Sequence, residues 1–321
     1  MRKFRLFLLI SFLHIGNLWG WGFAAHKQIN RHAVFTLPPG MFKFYKYYLA
    51  YITENAVNPD KRRYIIEGEA AKHYIDLDYY EDSVFWKKAR YWQQALAQYP
   101  PDTLLAHGTL PWHIYKMKLA LTAAFRQKDL VKILKLSADL GHYLADANVP
   151  LHTVQNYNGQ LTGQEGIHGL WETRIPELFS EEYDFFIGQA TYIQDPQQRA
   201  WDAILQAHHG ADSVLGFEKE LSNNFPAIKK YSFEQKGASL VKVYAKAYVQ
   251  AYHTLLAGQI ERQMKASMKL IGDFWLTCWV DAGKPDLADL LDLPLAEEQL
   301  QADFYRDTSQ GNKLAVRPCG D

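Results

Sequence analysis

Apolar residues recur along this chain at the three- and four-residue intervals of a helix rather than the two-residue interval of a strand. Helical spacing with strong helix formers covers Ala24 to Phe35, Met41 to Thr53, Ser83 to Ala97, Pro111 to Arg126 and Asp129 to Ala147. It continues over Gly166 to Phe179, Gln197 to His208 and Ser239 to Trp279, the last expected to be broken along its length. No alternation of valine and isoleucine is long enough to predict a sheet. Pro and Gly mark the joins at Leu37-Pro38-Pro39-Gly40, Tyr99-Pro100-Pro101, Val149-Pro150 and Gly159 to Gly166. No internal repeat, low-complexity tract or long linker is visible. These patterns predict an all-α protein: one multi-helical domain over residues 21–285, followed by a less regular tail, 286–321.

The first twenty residues read as a signal peptide. Arg2, Lys3 and Arg5 precede an apolar run from Leu6 to Ile15, which is too short to span a bilayer. Cleavage near Gly20 would leave Trp21 as the first mature residue, and the expected location is secreted or periplasmic. No other stretch is long and apolar enough for a transmembrane segment, since Asp273 interrupts Leu270 to Val280.

Composition narrows the function. Of 321 residues 48% are hydrophobic, enough for a sizeable core, while Lys+Arg and Asp+Glu balance at 35 each. That balance removes the simplest argument for duplex-DNA binding. Loss of the leader would leave a net charge of −3. The two cysteines, Cys278 and Cys319, lack metal-ligand spacing. They form one disulfide pinning the tail or remain two thiols, and the sequence leaves both open.

The chemistry lies in Gly141-His142-Tyr143-Leu144-Ala145-Asp146-Ala147-Asn148-Val149-Pro150-Leu151-His152. His142 and Asp146 are four apart and share a helix face. Pro150 ends that helix, and His152 follows in the turn. His168 and Glu172 repeat the four-residue spacing. One such pair is ordinarily a core histidine or a surface ion pair. Two pairs with a histidine between them point to a metal site, because imidazole nitrogen and carboxylate oxygen are zinc ligands. Upstream stand Trp21-Gly22-Phe23-Ala24-Ala25-His26, Asn58-Pro59-Asp60-Lys61-Arg62-Arg63 and Lys72-His73-Tyr74-Ile75-Asp76. Singly these are weak; their order is informative.

The ordered set Trp-x4-His, Asp, His, His-x3-Asp-x5-His and His-x3-Glu resembles the superfamily of zinc-dependent phospholipases C and single-strand-specific nucleases over residues 21–180. The resemblance implies an all-α fold around a trinuclear zinc cluster. It assigns one zinc to Asp60, His73, His142 and Asp146, and a second to His152, His168 and Glu172. The third falls to His26, Asp146 and the main chain of Trp21, so that Asp146 bridges two ions. The activity implied is hydrolysis of phosphoric esters by a metal-activated water, with Asp60 and Arg63 in catalytic positions.

Substrate is divided. Tyr74 and Asp76 resemble the nuclease residues that stack on a base and bind its edge; the alternative is a core ring and a supporting carboxylate. Arg63 resembles the cation that stabilises the phosphoryl transition state, or else is one surface charge of three. Glu172, and the gap between His152 and His168, are nearer the phospholipase form. Lys61, however, stands where a choline-binding aromatic would be expected. Single-stranded nucleic acid or nucleotides are therefore the first expectation and phospholipid the second, with a non-catalytic exported zinc module as the rival of another class. No protein partner is predicted. His107, His208, His209, His253 and Pro111-Trp112-His113 receive no role.

Overall fold

A computed structural model describes residues 22–80, 84–291 and 293. The chain enters through α1 (Phe23–Ala33), α2 (Pro39–Tyr47), α3 (Leu49–Glu54) and α4 (Asn58–Arg62). Short helices α5 (Phe85–Lys88), α6 (Trp92–Leu96) and α7 (Pro101–Ala106) lead into two long ones, α8 (Leu110–Gln127) and α9 (Leu130–Asp146). Next come α10 (Ile167–Gly169) and α11 (Ile175–Phe179), joined by a π-helical stretch, Leu170–Arg174. Then follow α12 (Pro196–His208), α13 (Ala211–Asn224), an antiparallel hairpin of β1 (Tyr231–Lys236) and β2 (Ser239–Tyr244), α14 (Lys246–Leu255) and α15 (Gln259–Asp281). The fold is thus all-α apart from that hairpin. Among the described residues no helix is long and apolar enough to cross a membrane.

Helix α9 is the hub, packed against α1, α3, α8 and α15. Asp129 starts it by accepting a hydrogen bond from the Lys132 amide at 3.1 Å. From Ser137 to Asp146 every residue is buried, the mark of a helix enclosed on all sides. Leu134, Leu140 and Leu144 are fully buried, each worth about 1.5–3 kcal/mol. At the end, Asn148 Nδ2 donates to the Leu144 carbonyl at 2.8 Å, and Val149 is extended ahead of Pro150. The helix therefore stops where Asp146 and His152 must face the same centre.

Helix α1 crosses α9 at Gly141. A Cβ there would lie 2.3 Å from Asn30 Oδ1, while Asn30 Nδ2 donates to the Ala138 carbonyl at 3.0 Å. Glycine permits this approach because it has no side chain. The approach sets His26, one turn before Asn30, flat against His142, ring centroids 3.9 Å apart.

Several sequence expectations are corrected. The helix expected over Ser239 to Trp279 begins as strand β2, while the break expected within it falls where Ala257 and Gly258 adopt positive φ. Met41 to Thr53 is two helices parted at Tyr48, whose backbone leaves the helical region and whose hydroxyl donates to the Leu290 carbonyl. Ser83 to Ala97 is interrupted because the Ala89 and Arg90 carbonyls accept from the Trp112 and Trp201 indoles at 2.9 and 3.1 Å. Helix α13 was not anticipated; it buries only Ala211, Val214 and Glu218. Cys278 is buried in α15, whereas Cys319, Trp21, the leader 1–20 and most of the tail lie outside the described residues.

Candidate metal centre

The eight described candidate ligands converge from separate segments. His26 comes from α1, Asp60 from α4, His142 and Asp146 from α9, and His168 from α10. His73 follows a single turn at Ala70–Lys72, His152 lies in the turn Pro150–Thr153, and Glu172 sits in the π-helical stretch. π-Helical turns are rare and concentrate at functional sites. All eight side chains are buried. They form three sets whose ligand atoms lie within 4.8 Å of one another: His26 with His142 and Asp146, Asp60 with His73 and His142, and His152 with His168 and Glu172.

Asp146 joins the sets. Its Oδ2 lies 2.9 Å from His73 Nδ1 and 3.2 Å from His142 Nε2, and its Oδ1 lies 3.4 Å from His26 Nε2 and 3.6 Å from His152 Nδ1. Asp60 Oδ1 is 3.5 Å from His142 Nε2 and 3.7 Å from His73 Nδ1. In the third set, Glu172 Oε1 is 3.0 Å from His168 Nε2, and Oε2 is 3.6 Å from His152 Nε2. Two imidazole nitrogens approach each other at 3.1 Å in two places, His142 to His73 and His152 to His168. Ligands bound to zinc at about 2.0–2.1 Å and the tetrahedral angle are ~3.3 Å apart, so these separations suit a shared ion.

Tautomers reinforce the reading. His142 Nδ1 lies 2.9 Å from the Ala56 carbonyl, His152 Nδ1 2.7 Å from the His73 carbonyl, and His168 Nδ1 2.9 Å from the Tyr157 carbonyl. A carbonyl only accepts, so each Nδ1 carries the proton and each Nε2 turns a lone pair to the centre, as in metal-ligating histidines. Among the described residues, His26 Nε2, Asp60 Oδ2 and both Glu172 oxygens are buried without a hydrogen bond. Burying such atoms costs free energy unless a partner is supplied. The donor set fits a metal.

The local field sorts charged from neutral groups. Burial disfavours a charged His142, but Asp146 and Asp60 outweigh it and raise the imidazole to about 9. Burial, then the charge on Arg63, lowers His73 to about 4. Burial and His142 lower His26. For Glu172 burial is overcome by His168 and His152, which hold the carboxyl at about 2. Asp146 is likewise held well below the usual carboxylate range, chiefly by His142 and His152 acting against burial. Ionised carboxylates and neutral imidazoles are the forms that bind metal; Asp146, Glu172, His26 and His73 are held in them, whereas His142 carries a second proton that an entering ion would displace from Nε2.

A second buried network holds the ligand-bearing segments. Arg62 Nη2 pairs with Asp139 Oδ2 at 2.8 Å and reaches Glu69 Oε1 at 3.5 Å, and the Tyr143 hydroxyl donates to Glu69. It ties the segment carrying Asp60 and His73 to α9. Arg62, Glu69 and Asp139 carry no ligand-like spacing, so sequence reading missed them. Pro111-Trp112-His113 now has a place: Pro111 sits in the first turn of α8, Trp112 is core, and His113 meets the edge of Tyr143 at 4.4 Å.

The expected catalytic and substrate residues fare differently. Arg63 is buried, not a surface cation, and its Nη1 lies 3.7 Å from Asp60 Oδ1. Tyr74 is only 7% exposed, and its hydroxyl donates to the Ala106 carbonyl at 3.0 Å. A stacking ring needs a free face, and this one is packed. Asp76 is buried, with Oδ2 3.2 Å from His107 Nδ1. His107 in turn stacks on the exposed ring of Tyr79 at 3.4 Å, a pairing that no spacing advertised. No protein-family model matches the chain, and no curated protein matches it either.

Proposed function

We propose that this chain is a zinc-dependent phosphoric ester hydrolase with three ions in the buried centre. The observation that carries the reading is the convergence of three donor sets, in which His142, His152 and His168 are fixed as Nε2 ligands by backbone carbonyls. The set His152, His168 and Glu172 supplies three protein ligands, the number found in catalytic zinc sites, where structural sites use four. This favours an enzyme over a structural module. Asp60, His73 and His142 would hold one ion, and His26 with Asp146 a further one.

Zinc supplies Lewis acidity toward a phosphoryl oxygen and an ionised water near neutral pH. The chain's own part is electrostatic and geometric. Asp146 places its two oxygens beside the inward nitrogens of His26, His73 and His142. Arg63 holds a buried positive charge beside Asp60, where a phosphoryl group gaining negative charge would be stabilised. Single-stranded nucleic acid or nucleotides remain the first substrate class, on the buried Arg63 and on Lys61 in place of a choline-binding aromatic rather than on Tyr74 or Asp76. Phospholipid is the second reading, favoured by the packed ring of Tyr74 and the engagement of Asp76 by His107. The zinc-loaded protein assayed on single-stranded DNA, RNA, a 3′-nucleotide and phosphatidylcholine tests both. Turnover of none of the four, with three ions bound, would overturn the hydrolase reading.

A further inference from the structure

Among the described residues the β-hairpin is the one sheet in a helical fold, and it is built with two unlike faces. Cross-strand pairing places Ser232 opposite Val243, Glu234 opposite Val241 and Lys236 opposite Ser239 on one face. That face is anchored to the protein. Arg174, two residues beyond Glu172, donates to both Glu234 carboxylate oxygens and to the Tyr244 carbonyl, and Lys236 pairs with Glu177 at 3.5 Å. The opposite face pairs Tyr231 with Tyr244, Phe233 with Lys242 and Gln235 with Leu240. Phe233 and Leu240 are diagonal neighbours there and each is 66% exposed. Ile228, on the approach to β1, is 92% exposed.

Charge is concentrated around these apolar tips. Residues 226–246 hold five lysines and one acid; Glu234 is paired with Arg174, Lys230 with Glu218 at 2.9 Å and Lys236 with Glu177, which leaves Lys229, Lys242 and Lys246 to give the segment its positive charge. The whole chain has a formal net charge of zero, so this segment is a local cationic patch.

We propose that the outer face of the hairpin, with Ile228, docks on an anionic lipid surface. Exposed aliphatic and aromatic tips gain by entering the acyl boundary, while lysines gain from the negative headgroups. Single-stranded nucleic acid fits less well. Ile228 and Leu240 have no ring to stack on a base, and the Tyr231 ring is already covered by Lys242 Nζ at 3.9 Å and approached by Lys230 Nζ at 5.9 Å. Phe233 alone would be left for stacking. The proposal does not rest on the hydrolase reading.

The test is co-sedimentation of the full chain with phosphatidylcholine vesicles, with and without phosphatidylglycerol. Binding should require phosphatidylglycerol and fall as salt rises. Ile228→Ser/Phe233→Ser/Leu240→Ser should weaken it at least about tenfold. Lys229→Ala and Lys242→Ala should each weaken it roughly fivefold. The thermal midpoint and the hydrolysis of a soluble phosphodiester should not change, which separates docking from activity. If the triple variant misfolds, the two lysine variants decide the matter. Absence of wild-type binding, or equal binding by wild type and folded variants, would overturn the proposal. So would vesicle binding unchanged in variants that lose a single-stranded oligonucleotide.

Discussion

A methyl group at position 141 probes the packing that delivers His26 to the metal centre. In Gly141→Ala the new Cβ would lie 2.3 Å from Asn30 Oδ1 and 2.8 Å from both Cγ and Nδ2. No pair of uncharged heavy atoms tolerates that approach, so Asn30 must swing away or α1 must retreat from α9. Overpacking of this kind costs about 1–3 kcal/mol. Displacing Asn30 also gives up its hydrogen bond to the Ala138 carbonyl, worth about 1 kcal/mol. Alanine in place of glycine inside a helix returns about 1 kcal/mol. The expected net loss is about 1–3 kcal/mol, read from urea denaturation. Because His26 is one turn from Asn30 and stacked on His142, elemental analysis should also show weaker binding of one ion. The discriminating arm is the double variant. With Asn30→Ala the obstructing amide is gone, so adding Gly141→Ala should then be neutral or stabilising. An equal loss in both backgrounds, or no loss in either, would refute the close-crossing argument.

The remaining expectations are more direct. Asp146→Ala should lose more bound zinc than any other single ligand substitution, since its two oxygens lie beside the inward nitrogens of His26, His73 and His142 in two neighbouring donor sets; full zinc occupancy would contradict the bridging role. Chelation of the native protein should lower its thermal midpoint, because ligands from separate segments make metal binding part of folding; an unchanged midpoint would count against it. Arg63→Ala should lower kcat by about tenfold to a thousandfold while leaving zinc content intact, and a change confined to KM would place Arg63 in ground-state binding instead. Acid stability should depend on Glu69: burial would raise its carboxyl, yet Arg62 and Lys72 hold it at about 2 against an ordinary 4.5. Its contribution is therefore present above pH 4.5 and lost as pH falls toward 2, of order 3 kcal/mol in all. Glu69→Gln should flatten the pH dependence of the urea midpoint across that window, and an unchanged slope would refute the assignment.

The sequence by itself determined the helices with long apolar stripes, α1, α8, α9 and α15, because burial of a stripe imposes a 3.6-residue period that survives without coordinates. It also exposed the candidate ligands, since His142 with Asp146 and His168 with Glu172 carry their geometry in a four-residue spacing. What it misjudged was held by distant contacts. Leu240, Val241 and Val243 read as the start of a helix, but they pair with β1, and that hairpin is tied to the protein by Arg174, some seventy residues away. Helix α13 buries too few apolar side chains to announce itself. A tyrosine following His73 is compatible with a stacking platform or a core ring, and only the Ala106 carbonyl and the surrounding packing decided for the core. The same holds for the metal centre. Which nitrogen of His142 or His152 faces inward depends on the carbonyls of Ala56 and His73, 86 and 79 residues distant. Spacing along a helix is local and can be read from one strand of text. Tautomer, burial and the approach of α1 to Gly141 are set by groups that meet only after the chain has folded, and these decided which of the candidate residues could act together.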